Sequence, residues 1–213
     1  MNFPRPDRRR LLRLGLASAV AGPVWLTPAR SRPARALHPT PAQSEGPFYP
    51  VQRPQDQDGD LLRNGTVDYR HGTPAWLDGV ITDTAGTPVR GAQIEIWQCD
   101  HQGHYHHPGD GGRADPAFQG YGRVLVDSEG RYRFRTLRPA PYSGRTPHIH
   151  VKVSLGTREL LTTQLYVAGD PGNARDFLWR QLRSDADRAA LTVPFLSGAQ
   201  GLQARFPIVL ALS

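Results

Sequence analysis

Residues 76–100 read WLDGVITDTAGTPVRGAQIEIWQCD. Apolar and polar positions alternate on both sides of a Gly86-Thr87-Pro88 turn. Leu77, Gly79 and Ile81 fall on one side of the first run, and Ile94 and Ile96 on one side of the second. A period of two is that of a half-buried strand, so the stretch reads as strand, turn, strand. Working outward, GRVLVDSEGRYRFRTL (122–137) repeats the pattern around Ser128-Glu129-Gly130, and HIHVKVSL (148–155) and LTTQLYV (161–167) add two strands around Gly156. The 22 glycines and 20 prolines suit a chain that turns this often. These runs predict an all-β fold: a single antiparallel β-sandwich over about residues 76–170. Residues 37–75, rich in Pro, Gly, Gln and Asp, read as an extended N-terminal arm. The segment from about 174 to 190 reads as a short C-terminal helix, with Phe177, Leu178 and Leu182 on one face and Asn173 as its N-cap.

The formal net charge is +7, but it is unevenly placed. Residues 1–36 hold eight arginines and one acid, Asp7, and the remainder carries equal numbers of basic and acidic side chains. The folded body therefore lacks the electrostatic footprint of a nucleic-acid binder. The N-terminus has a layout of its own. Arg8-Arg9-Arg10-Leu11-Leu12 precedes an apolar run from Leu14 to Leu26, and Ala34-Arg35-Ala36 follows. This is the order of an export signal of the twin-arginine type, with an apolar run shorter than the ~20 residues that span a bilayer. Residues 1–36 are expected to direct export to the periplasm or the cell exterior, with no stable membrane insertion after cleavage, and residues 37–213 to form the functional domain. A single cysteine, Cys99, excludes an intrachain disulfide, so the domain must be held by its core. No sequence feature sets an oligomeric state.

The chemistry concentrates in two places, which hold six of the eight histidines. In HIHVKV, Ile149, Val151 and Val153 share one strand face and His148 and His150 the other, within chelating distance of a common ion. Two imidazoles in that arrangement suit Zn, Fe, Cu or Ni. Just upstream, PYSGRTP places Tyr142 and Arg145 on a bend, and a phenolate is a hard anionic donor suited to a trivalent ion. The second place is DHQGHYHHPGD, with Tyr105 among His101, His104, His106 and His107. That tract allows a rival, a Zn or Cu site built from its own histidines. A third reading is an exported β-sandwich that binds an aromatic or a sugar without any metal.

Four segments in this order, SEGPFYP, GTPVRGAQIEIWQCDHQGHYHHPGD, GRYRFRTLRPAPYSGRTPHIHVKV and LLTTQLYVAGDP, resemble the intradiol ring-cleavage dioxygenases. The resemblance covers residues 44–171. It implies one mononuclear non-haem Fe(III) held by Tyr105, Tyr142, His148 and His150, with O2 as co-substrate and a catechol as the small-molecule substrate. It implies that Arg145 faces the substrate, that Gln164 is an active-site glutamine, and that Tyr142 is displaced and acts as a base. Products of the cis,cis-muconate type follow. The chain departs from the pattern in its short Tyr142–Arg145 bend, which implies an open pocket, and in the lack of a helical domain ahead of the core.

Overall fold

A computed structural model of the chain describes residues 36–212. The export signal expected over residues 1–36 lies, but for Ala36, outside the described residues. Strand β1 is Arg63–Asn64, β2 Val67–Asp68, β3 Pro74–Asp83, β4 Gln93–Trp97, β5 Tyr121–Leu125, β6 Arg131–Leu137, β7 His148–Leu155 and β8 Arg158–Val167. After helices α1 (Phe177–Arg180) and α2 (Asp185–Leu191) come β9 Thr192–Val193, β10 Leu196–Gly198, β11 Gly201–Arg205 and β12 Ile208–Leu210.

Among the described residues these strands form two five-stranded sheets and the small β1–β2 ribbon. In one sheet, β3 pairs with β6, β11 and β12, and β10 lies outside β11. In the other the order is β5-β4-β7-β8-β9. The alternation read from the sequence sets which side chains face inward. Leu77 and Ile81 of β3, Ile94 and Ile96 of β4, Phe134 of β6, and Ile149, Val151 and Val153 of β7 are fully buried and belong to one apolar cluster drawn from both sheets. Burial of this apolar surface is the main favourable contribution to folding, at about 25 cal/mol per Å2.

The fold is all-β, with several differences from expectation. Strands β3 and β4 do not pair with each other, and neither do β5 and β6. The Gly86-Thr87-Pro88 and Ser128-Glu129-Gly130 turns carry the chain from one sheet to the other, and of the expected neighbours only β7 and β8 form a hairpin. Nor are the sheets purely antiparallel, since β11 and β12 run parallel to β3 and β9 runs parallel to β8. Strand formation also continues past residue 170, to Leu210. The crossover through α1 and α2 brings β9 back parallel to β8, a neighbour that requires a long connection of this kind. That segment is not one helix. Ser184 and Asp187 form a reciprocal capping box that starts α2 afresh, and Asp176, not Asn173, caps α1. Asn173 is instead buried, donating from its side chain to the Val167 carbonyl.

One close approach fixes the β3 edge of the core. A Cβ at Gly79 would lie 2.1 Å from the Phe206 carbonyl oxygen and 2.7 Å from the Tyr132 hydroxyl. That hydroxyl donates to the same carbonyl at 2.5 Å. Gly79→Ala is therefore expected to destabilise the fold by about 1–3 kcal/mol through overpacking. Urea unfolding measures this, and an unchanged midpoint would mean that the strands lie further apart than described.

Candidate active site

The first half of β7, His148–Val151, is buried on both faces. The strand's core face carries Ile149, Val151 and Val153, and its outer face presents His148 and His150, 1% and 0% exposed. The two imidazoles turn their Nε2 atoms toward each other at 3.2 Å. His148 Nδ1 lies 2.7 Å from the Thr146 carbonyl. A carbonyl only accepts, so this ring nitrogen carries the proton and Nε2 keeps its lone pair. Burial, reinforced by Arg145, pushes the His148 pKa down to about 4, and burial followed by His148 holds His150 well below its ordinary value. Both rings are thus neutral donors. His150 is oriented by Trp97 of β4, its partner in the β4–β7 register, which stacks on it at 4.8 Å and 9°.

The two tyrosines reach the same place from loops. Tyr105 follows β4, and its backbone N–H donates to Asp110. Its hydroxyl is buried and has no hydrogen-bond partner. Gly103 lets this loop approach the Tyr142 bend. It adopts φ +88°, and a Cβ there would lie 2.8 Å from the Pro141 carbonyl. Ring centroids close a circuit: Tyr105 to Tyr142 5.0 Å, Tyr142 to His148 5.3 Å, His148 to His150 4.8 Å, and His150 to Tyr105 5.9 Å. Burial raises the pKa of both phenols, with Arg145 opposing the shift at Tyr142. Tyr105 is fully enclosed and stacks against Phe48 at 4.7 Å, whereas Tyr142 is only partly buried. An unpartnered buried hydroxyl costs free energy. A multivalent cation between two phenolates and the Nε2 atoms of two neutral imidazoles would remove that cost, so the residues present fit a metal of the ferric type.

Arg145 is mostly buried. Its Nε donates to Asp176 at 2.6 Å and one Nη donates to the Gln164 side-chain carbonyl at 2.7 Å. Gln164 stands opposite His150 in the β7–β8 register, and its amide donates to the Ser44 carbonyl at 2.9 Å. All six residues expected at the site therefore fall in one neighbourhood. The four histidines of the 101–107 tract do not converge. His101 faces the Tyr69 hydroxyl, His106 faces the Phe118 carbonyl, and His107 accepts from the Gly109 N–H. Among the described residues no group of three His, Cys, Asp or Glu side chains is arranged to hold a metal.

Sequence reasoning missed Asp176, Trp97, Phe48 and Thr146 as parts of the site. Asp176 had a signal, an Asp directly ahead of the apolar Phe177-Leu178-Trp179, which is the mark of a helix N-cap. Burial raises the Asp176 carboxyl, but the Arg145 guanidinium and the N–H groups it accepts from outweigh this and hold it below the usual carboxylate range.

The family model described as dioxygenase matches residues 44–211 of this chain. The chain belongs to the intradiol dioxygenase family. The chain is 34% identical over 174 residues to a hydroxyquinol 1,2-dioxygenase of Rhodococcus opacus, covering 73% of this chain and 55% of that protein. It is 33% identical over 177 residues to a protocatechuate 3,4-dioxygenase beta chain of Burkholderia cepacia, covering 74% and 73%. The chain spans about half the length of the hydroxyquinol dioxygenases it matches. Among solved structures, the dioxygenase domain of a fusion with a carbohydrate-binding protein from Streptomyces sp. SirexAA-E aligns with a TM-score of 0.66 at 31% identity, covering 83% of this chain and 100% of that one. Catechol 1,2-dioxygenase from Acinetobacter sp. ADP1 aligns at 0.63 and 30%, covering 81% and 62%.

The bend between Tyr142 and Arg145 has φ +39° at Ser143 and +78° at Gly144, and the Arg145 N–H donates to the Tyr142 carbonyl at 2.7 Å. Two positive φ values mark a type I′ turn, where serine is strained and asparagine is favoured. Ser143→Asn is expected to raise stability by up to about 1 kcal/mol and Ser143→Val to lower it. Thermal unfolding of the two variants checks this, and equal melting temperatures would contradict the turn.

Proposed function

We propose that this dioxygenase is an Fe(III)-dependent enzyme that cleaves the ring of catechols between the two hydroxylated carbons. Catechol and O2 combine to give a cis,cis-muconate, both oxygen atoms being kept in the two new carboxyl groups. The observation that carries the reading is the closed circuit of Tyr105, Tyr142, His148 and His150, buried except for the partly exposed Tyr142, poor in internal hydrogen bonds and matched in donor type to a ferric ion. We read the two sheets as the layers of a sandwich, with the segment before β1 laid over the outer face of β7 and β8. The Gln43 N–H to Thr162 carbonyl bond, at 2.9 Å, and the bond from Gln164 to the Ser44 carbonyl support that placement.

Ferric iron, when bound, supplies a Lewis acid that takes an ortho-diphenol as a chelate and draws electron density from its ring. The remaining work falls to side chains of this chain. Tyr142 is the phenol reachable from solvent, so it is the one placed to leave and to accept a proton from a catechol hydroxyl, a general-base role. Tyr105, enclosed behind Phe48, stays. Arg145 supplies fixed positive charge where negative charge grows on the ring, a preorganised contribution that needs no rearrangement during the reaction. Gln164 fixes one end of that guanidinium.

The exported setting rests on the sequence of residues 1–36. The short Tyr142–Arg145 bend supports a pocket that accepts catechol, substituted catechols, protocatechuate and hydroxyquinol, with no strong demand for a ring carboxylate. Oxygen uptake by iron-loaded protein on such a panel, with product identification, tests the proposal. Muconate-type products from several substrates are expected. Activity on protocatechuate alone would sink the open pocket, and semialdehydes would sink intradiol cleavage. Tyr105→Phe, Tyr142→Phe and His148→Ala should each weaken iron retention at least about tenfold, while His104→Ala and His107→Ala keep it. Zinc or copper at one per chain, lost with the last two variants, would assign the metal to the histidine tract instead.

A further inference from the structure

The two carboxylate oxygens of Asp176 carry different main contacts, with one long 3.5 Å bond from Arg145 Nη to Oδ1 besides. Oδ1 accepts from the backbone N–H groups of Leu178 and Trp179, both at 3.0 Å, and so caps α1. Oδ2 accepts from Arg145 Nε at 2.6 Å and from the Thr146 N–H at 3.1 Å. The Arg145 guanidinium is thus tied at Nε by Asp176 Oδ2 and at one Nη by Gln164, that Nη also lying 3.5 Å from Asp176 Oδ1, and the other Nη makes no hydrogen bond among the described residues. The ring of Phe177 lies 5.2 Å from the guanidinium carbon and covers it further. Asp176 itself is 1% exposed, so no water competes for these bonds. A guanidinium held at two of its three nitrogens has a fixed plane and a fixed free end.

We propose that Asp176 is a positioning residue of the reaction, acting through Arg145: it fixes the plane and reach of the guanidinium so that the free Nη faces a catechol bound beside His148 and His150. The helix cap and the placement of Arg145 are then one device, since the same side chain starts α1 and aims the cation. This inference rests on the reading of the site as a catechol-cleaving centre.

Asparagine separates the two jobs. In Asp176→Asn the side-chain carbonyl keeps the cap, because Asn is as good an N-cap as Asp. Its NH2 then faces the Nε–H of Arg145 and the Thr146 N–H, donor against donor, and the guanidinium is released. The experiment is a double-mutant cycle on iron-loaded protein with Asp176→Asn, Arg145→Ala and the pair, reading kcat and KM for catechol. The dissociation constant of a chromophoric nitrocatechol, the iron content and the melting curve of every variant are read in parallel. Asp176→Asn is expected to lower kcat/KM on the order of 100-fold, mostly in kcat, when Arg145 is present. In the Arg145→Ala background the same change should cost less than about threefold, because nothing remains to misplace. Nitrocatechol binding should weaken with Asp176→Asn only where Arg145 is present, with iron content unchanged in all. Equal losses in both backgrounds would show a purely structural cap and overturn the inference. A parent enzyme that binds iron and cleaves no catechol would overturn the reading beneath it, and that result appears before any variant is made. If Asp176→Asn does not fold, Asp176→Ser, which keeps a capping hydroxyl without the charge, carries the same cycle.

Discussion

The register of β7 between β4 and β8 is the constraint on which the rest depends. It sets His150 against Trp97 on one side and Gln164 on the other, and His148 against Tyr166. Side chains on a strand alternate with a period of two, so a slip of one residue would drive both imidazoles into the apolar core and turn Ile149 and Val151 outward. The core thus enforces the site. Ile149, Val151 and Val153 are fully buried, and the free energy of keeping them so holds His148 and His150 on the opposite face.

That opposite face is no ordinary sheet surface. It carries a second, smaller cluster of Trp97, Cys99, Tyr105 and Tyr121, packed with Phe48, Tyr49 and Tyr142. Aromatic walls of this kind lower the local dielectric, which neutralises the histidines, raises the phenols and strengthens the Arg145–Asp176 pair. Elsewhere on the face a buried carboxylate, Glu95, is matched by the Tyr49 hydroxyl at 2.7 Å and the Gln93 amide at 2.8 Å. The Tyr105 hydroxyl has no partner, and neither do Trp97 Nε1, Tyr121 Oη and His150 Nδ1 on the same face, so this face is poor in internal hydrogen bonds beside the ring circuit.

Much of this was legible in the sequence. Period-two runs predicted the strands and the inward faces of β3, β4 and β7, and the His-x-His spacing predicted a shared face. The pairing of strands was not legible, because a turn such as Gly86-Thr87-Pro88 or Ser128-Glu129-Gly130 between two runs looks alike whether it closes a hairpin or crosses to another sheet. The parallel strands escaped for a related reason. Residues 201–210 are short and weakly patterned, and their place beside β3 is decided by tertiary packing. The break in the helical segment could have been read from Ser184 and Asp187, whose spacing is that of a capping box. Of the site, the side chains in the matched motifs were found. Asp176 was not, because its link to Arg145 joins residues far apart in the chain.

Under the proposed function, two phenolates and two imidazoles of this chain hold one ferric ion. Resonance Raman spectroscopy of the iron-loaded protein, excited within its visible absorption, tests it directly. Tyrosinate ring vibrations should be enhanced, and the pattern should simplify in Tyr105→Phe. Iron-loaded protein without tyrosinate enhancement would contradict the account.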